Sequence, residues 1–164
     1  MLTGAALFSG FYVNELLLKL LARQDPHDAL FDAYAATLPE LGAAQEQPVQ
    51  AALRAFELTA LREIGLLPDL SVVTLTQQPV RPGGRYSLSA DAGVGGSSGR
   101  EAELGGDHLI GLQAALQHGS MAALQHACRA CLAELKAPLR ALVQHHVGST
   151  VLRTRQALLD MHSL

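Results

Sequence analysis

Three arginines in this chain, a close pair and a single one, have the type and setting to hold an anion. Arg153 and Arg155 stand two residues apart, with Lys136 and Arg140 upstream. Such a pair can meet successive phosphates, or brace a loop by charge-assisted hydrogen bonds. The plainer reading of these residues is a solvated basic face. Arg54 lies beside Phe56, on the polar side of an otherwise apolar stretch, where a guanidinium is a candidate anion clamp. Its plainer alternative is an intrahelical pair with nearby Glu57.

Other reactive side chains point to less. His126, Cys128 and Cys131 look metallic, yet zinc takes four ligands in structural sites and three plus water in catalytic ones. Cys128 and Cys131 share a helix face that His126 does not, and no second cysteine pair exists, so the two read as small apolar core residues. His145 and His146 are neighbours, about 100° apart on a helix, and suit a helix C-terminus better than a shared metal. The glycine-rich run 93–106 lacks the Lys-Ser/Thr ending of a phosphate loop. There is no Gly-x-Ser-x-Gly elbow and no His-Glu-x-x-His pair, and Glu57 and Glu63 fall on different helix faces. The expectation is a non-enzyme without metal or cofactor.

The elements that must carry these residues are mostly helical. Leu7, Phe11, Leu16, Leu18 and Leu21 recur at helical spacing between Ala5 and Ala22. Asp25-Pro26 opens a second helix through Leu30, Phe31, Tyr34 and Leu38. A third runs from Pro48, with Ala52, Leu53, Phe56, Ala60, Leu61 and Ile64 inward, Arg54, Glu57, Arg62 and Glu63 mostly outward, and Gly65 at its end. Between about 68 and 106 the character changes. Val72 to Thr76 reads as a short strand, Pro82-Gly83-Gly84 as a turn and Arg85 to Ser89 as the return strand of a hairpin, followed by a mobile glycine-rich stretch. Helices resume: one from Asp107 to Gly119, one capped by Ser120 and kinked at Pro138, and a short last one from Leu152 to Met161. The fold class expected is a mainly α helical bundle with a small β-hairpin or irregular insertion, in one domain over residues 1–164.

The chain has 164 residues, 49% hydrophobic, with a formal net charge of −3. That length suits one domain, and the charge excludes a protein that coats nucleic acid by bulk positive charge. The charge is uneven: residues 1–69 carry four basic and nine acidic side chains, residues 70–164 eight and six. Two cysteines are too few for a disulfide framework, and no apolar run reaches the roughly 18 residues of a membrane span. A soluble cytoplasmic protein is expected.

Several stretches together resemble one family. Leu7 to Leu17, reading Leu-Phe-Ser-Gly-Phe-Tyr-Val-Asn-Glu-Leu-Leu, is similar to the tyrosine-x-asparagine-glutamate-leucine helix of the bacterial recombination mediator RecO. Asp25-Pro26-His27 followed by Leu30 to Tyr34 resembles its next helix. Ala52 to Leu58 and Glu63 to Leu70 resemble its leucine-arginine-x-phenylalanine-glutamate helix and the glycine-ended exit. Val147 to Arg155 is similar to the closing basic segment.

The resemblance covers the family's helical C-terminal domain and implies that an N-terminal OB-fold barrel is missing before Met1. It implies a DNA repair and homologous recombination mediator of the RecF-pathway type. Such proteins bind single- and double-stranded DNA, promote annealing, and act with RecR to load RecA onto strands covered by single-strand-binding protein. It makes Arg54 the expected grip for the acidic, phenylalanine-ended tail of single-strand-binding protein, with Phe56 either positioning that tail or serving as core. A guanidinium fork suits the carboxylate and an apolar slot suits the ring. It makes Arg153 and Arg155 expected DNA contacts, with Arg155 equally a brace for the fold, and Arg140 upstream joins them as an expected contact. DNA binding is expected to be weakened without the barrel, and the location cytoplasmic and nucleoid-associated. Many RecO proteins hold zinc in a four-cysteine knuckle; the matching stretch here, from Pro68 to Leu104, has no cysteine, so no zinc is expected. The alternative is a protein-interaction domain that binds partner proteins without DNA.

Overall fold

The computed structural model describes residues 4–21, 27–97, 99 and 102–148. Among them are α1 (Ala5–Leu20), α2 (Asp28–Glu40), α3 (Glu46–Glu63), β1 (Arg85–Ser89), β2 (Gly93–Gly96), β3 (Glu103–Gly105), α4 (Gly106–His118), α5 (Met121–Ala130) and α6 (Leu132–Val147). The protein is mainly α with a small antiparallel sheet. The expected starts at Asp25-Pro26 and the expected last helix, Leu152 to Met161, lie outside the described residues.

Helix α3 is the axis of the bundle. It packs against α1, α2, α5 and α6, so it is buried nearly all round: Ala51, Ala52, Leu53, Ala55, Phe56, Leu58, Ala60 and Leu61 are all in the core. The small alanines let neighbouring helices approach closely, and Phe56 fills the space they leave. Its ring meets Tyr34 of α2 edge-on at 6.5 Å between centroids. The helix ends as its sequence predicts. Gly65 adopts φ 74°, and Leu66 N–H donates to the Leu61 carbonyl over 2.8 Å, closing a Schellman motif. Ser120 likewise caps α5 by accepting from Ala123 N–H, and Gly119 ends α4 in the left-handed region.

Three expectations change. Val72 to Thr76 is no strand: it makes a single bridge, Val72 to Pro79. Pro79 has no N–H to extend a ladder, and Thr74 is spent on β2, its N–H donating to the Val94 carbonyl and its hydroxyl accepting from Val94 N–H. The stretch 93–106, expected to be mobile, supplies β2 and β3. They flank β1 on both edges, in the order β2-β1-β3 with Leu88 opposite Val94 and Tyr86 opposite Leu104. β2 thereby pairs Tyr86 to Ser89 on one edge and β3 pairs Arg85 to Ser87 on the other, and Tyr86, Leu88, Val94 and Leu104 close the core beneath. The long helix expected after Ser120 breaks at Cys131 (φ −132°, ψ 23°), seven residues before Pro138, which is accommodated inside α6. The break lets α5 lie on α3 and α4 while α6 turns onto α3 and the sheet.

Gly106 joins β3 to α4 under a tight turn. Its N–H donates to the Gly84 carbonyl over 2.9 Å, and a Cβ added there would collide with the carbonyl oxygen of Arg81, a backbone atom. Gly106→Ala is expected to lower the unfolding free energy by about 1–3 kcal/mol, the range for overpacking at a rigid site. Urea unfolding measures it, and an unchanged midpoint would mean that the turn yields freely.

Candidate functional site

One buried polar cluster lies where α1 meets α3, the helix that also packs against α5 and α6. Arg54 and Glu57 lie three residues apart on α3 and pair at 2.7 Å between Nη2 and Oε1. The hydroxyl of Tyr12, on α1, donates to the same Oε1 over 2.5 Å. The intrahelical pair weighed as the plain alternative for Arg54 is therefore present. The outward placement expected for Glu57 is corrected: its side chain is 1% exposed, against 12% for Arg54. Helix α3 has no solvated face at this level, because α1, α5 and α6 cover the side on which Glu57 lies.

Both partners converge on one carboxylate oxygen. Glu57 Oε2 and Arg54 Nε are buried and have no hydrogen-bond partner among the described residues. A guanidinium and a carboxylate usually pair through two parallel bonds, so this arrangement leaves one donor and one acceptor over. Burial raises the carboxyl pKa of Glu57 above its ordinary 4.5, while Arg54 and the Tyr12 hydroxyl pull it back down. The Tyr12 hydroxyl is pushed up by burial and by the Glu57 charge, and down by Arg54 and by Arg140 of α6. Arg140 is exposed, and its field reaches that hydroxyl. Of these two cations, Arg54 is almost enclosed and Arg140 lies in solvent. On α1, Phe11 beside Tyr12 is half-exposed, and Leu7 one turn back is also exposed.

The remaining expected residues divide. Phe56 is wholly buried, so its ring has no surface to offer a ligand and serves the core behind Arg54. Arg153 and Arg155 lie outside the described residues. Cys128 and Cys131 are buried as small core residues, burial pushing the Cys131 thiol up to about 11 and the Cys128 thiol higher still. His126 is exposed, away from them. His145 and His146 close α6 with their rings 5.1 Å apart, and burial and its neighbour lower the pKa of His146. No group of His, Cys, Asp or Glu suited to a metal occurs among the described residues.

Two other polar places are structural. Glu134 of α6 accepts from Gly105 N–H over 3.0 Å and from Arg85 over 3.0 Å, and His108 Nδ1 lies 2.8 Å away. The Gly105 N–H foremost, with His108 and Arg85, pulls its carboxyl down to about 2, and the cluster ties the sheet to α4 and α6. A cleft of about 370 Å³ between α2, α3, α4 and α5 is lined by Asp32, Thr59, Arg62 and Met121 among others. Its guanidinium is committed to the Leu116 carbonyl, and it is distinct from the Arg54 cluster.

Tyr12 and Glu57 are the site residues that the sequence reading missed. The usable signal was local. A glutamate in the midst of Ala51, Ala52, Ala55, Leu58, Ala60 and Leu61 stands on a helix with little polar face left for it.

Residues 1–156 match the family model described as "Recombination protein O C terminal". The chain is 48% identical over 166 residues to a DNA repair protein RecO of Polaromonas sp., covering 99% of this chain and 66% of that protein. It is 48% identical over 164 residues to the RecO of Polaromonas naphthalenivorans, again covering 99% and 66%. It is 46% identical over 164 residues to that of Verminephrobacter eiseniae, covering 99% and 65%. The chain thus spans a little under two thirds of the length of these curated relatives.

Proposed function

Because this chain belongs to the RecO family and corresponds to its C-terminal part, we propose that it is a non-enzymatic module of a DNA repair and recombination mediator. In this reading it receives the acidic, phenylalanine-ended tail of single-strand-binding protein at Arg54. It assists RecA loading and annealing together with RecR. The observation that supports it is the Arg54 guanidinium, held to Glu57 by a single bond and still 12% exposed, on a helix packed against α1, whose Leu7 and Phe11 are exposed. A guanidinium that spends one of its N–H donors on Glu57 and is still partly open to solvent can take a carboxylate, exposed apolar surface can take a ring, and a second cation strengthens the pull on an acidic strand. Phe56 supports the grip from beneath by holding α3 in place. Arg140, Arg153 and Arg155 are the proposed contacts to DNA phosphate. The location proposed is the cytoplasm, at the nucleoid; no described helix is long and apolar enough to cross a membrane.

The second reading, a protein-interaction domain without DNA affinity, has the acidic first 69 residues in its favour, with four basic against nine acidic side chains. Two titrations separate the readings. Labelled single strands at two salt concentrations are expected to bind at low salt and weaken as salt rises; no binding at low salt removes the DNA role. A labelled acidic peptide ending in phenylalanine is expected to bind wild type. Arg54→Ala, checked for folding by circular dichroism, is expected to weaken it by about 1–3 kcal/mol, the scale of a charged hydrogen bond. Unchanged affinity removes Arg54 from the site.

A further inference from the structure

We propose that Glu57, held by Tyr12, is a built-in competitor for the Arg54 guanidinium, so that an incoming acidic ligand must displace the protein's own carboxylate to be gripped. The inference rests on the reading of Arg54 as a carboxylate grip and assigns that site its means of setting affinity.

The geometry carries it. Arg54 reaches solvent with 12% of its side chain while Glu57, at 1%, does not, so a carboxylate arriving from outside meets the guanidinium and not its partner. The existing pair is made through one bond at 2.7 Å, with Arg54 Nε and Glu57 Oε2 both left over. A guanidinium carries five N–H donors, and the single bond to Glu57 holds it less firmly than the usual two-bond form would. Tyr12 supplies the other half of the device. Its hydroxyl, 2.5 Å from Oε1, keeps Glu57 hydrogen-bonded when Arg54 turns to a ligand, so the exchange does not strand a bare buried carboxylate.

The groups facing Glu57 are few. Tyr12 comes from α1, Arg54 from its own helix and Cys128 from α5, and Arg140 of α6 acts through the Tyr12 hydroxyl. From α2 comes Tyr34, whose ring lies on Phe56 and whose own hydroxyl is spent on Asn14. Glu57 is the sole carboxylate in this set, so its charge is the one that opposes an anion at Arg54. Burial favours its neutral form, and acidification therefore relieves the competition. A purely positioning role would act the other way, since a carboxylate that aims Arg54 at the ligand would help binding.

The test is fluorescence anisotropy of a labelled acidic peptide with a free C-terminal phenylalanine. The proteins are the whole chain as wild type, Glu57→Gln, Tyr12→Phe and Arg54→Lys, each checked for folding by circular dichroism. Glu57→Gln is expected to bind roughly 3–10-fold more tightly, the effect of removing one like charge at a partly solvated site. Its affinity is also expected to depend less on pH than that of wild type, which tightens on acidification. Tyr12→Phe is expected to bind more weakly, because Glu57 then leans on Arg54 alone, and Tyr12→Phe/Glu57→Gln recovers the tight binding. Unchanged or weaker binding by Glu57→Gln overturns the competitor while leaving the grip intact, provided that Arg54→Lys still lowers affinity. No binding by wild type, or an Arg54→Lys protein that binds like wild type, overturns both. Should Glu57→Gln fail to fold, Tyr12→Phe decides by its sign: tighter or equal binding overturns the proposal.

Discussion

Replacing Phe56 by alanine is expected to lower the unfolding free energy by about 3–5 kcal/mol, the range for removing a fully buried aromatic ring. The ring is wholly enclosed and sits on α3, the helix that α1, α2, α5 and α6 all touch. Many of its neighbours on that helix are small: Ala51, Ala52, Ala55 and Ala60 cannot reach into the space that the ring vacates. Collapse from outside would have to come from Tyr34, whose ring is held at the rim by its hydroxyl bond to Asn14 over 2.8 Å. The cavity therefore stays open, which places the cost in the upper part of the range. Thermal unfolding should show a midpoint lower by at least about 6 °C for a chain of this length. A loss under about 1 kcal/mol would mean that the space closes easily.

Arg54→Ala is expected to cost about 3–5 kcal/mol at neutral pH, because it leaves a buried carboxylate with Tyr12 as its remaining partner. This cost depends on pH, and its direction follows from linkage. Burial raises the carboxyl pKa of Glu57 in the folded state above the ordinary 4.5 that it regains on unfolding. Stability associated with such a group is fully present below the unfolded value and is lost as pH rises through the folded one. Arg54 lowers the folded value, so its removal raises that value further and deepens the loss toward neutral pH. The gap between wild type and Arg54→Ala should therefore narrow as pH falls from 7 toward 4.5. Urea unfolding at several pH values measures it, and a constant gap would mean that Glu57 is not the group left stranded. Replacing the whole cluster, as Tyr12→Phe/Arg54→Met/Glu57→Leu, should recover most of the loss, since apolar side chains of similar volume often match or exceed a buried ion pair.

The sequence by itself determined what is written within a turn or two of the chain. Apolar spacing marked α1 to α4. Ser120 declared the start of α5, and Gly65 and Gly119 declared helix ends, because caps and left-handed turns are decided by the residue itself and its neighbours three or four positions away. The alternation in Arg85–Ser89 marked β1 for the same reason. The basic residues Arg54 and Arg140 were legible as chemistry, and the family's helical segments as a pattern. The rest was decided only by the tertiary structure. Glycines 93–106 have no strand preference of their own, and become β2 and β3 because β1 presents two unpaired edges to them. The helix after Ser120 breaks at Cys131 because α5 and α6 must reach different neighbours. Glu57 reads as a surface residue until α1 brings Tyr12 to it from 45 positions away. Local signals act through steric and hydrogen-bonding demands of adjacent residues, whereas burial and charge at a site are sums over groups that only the packed helices bring together.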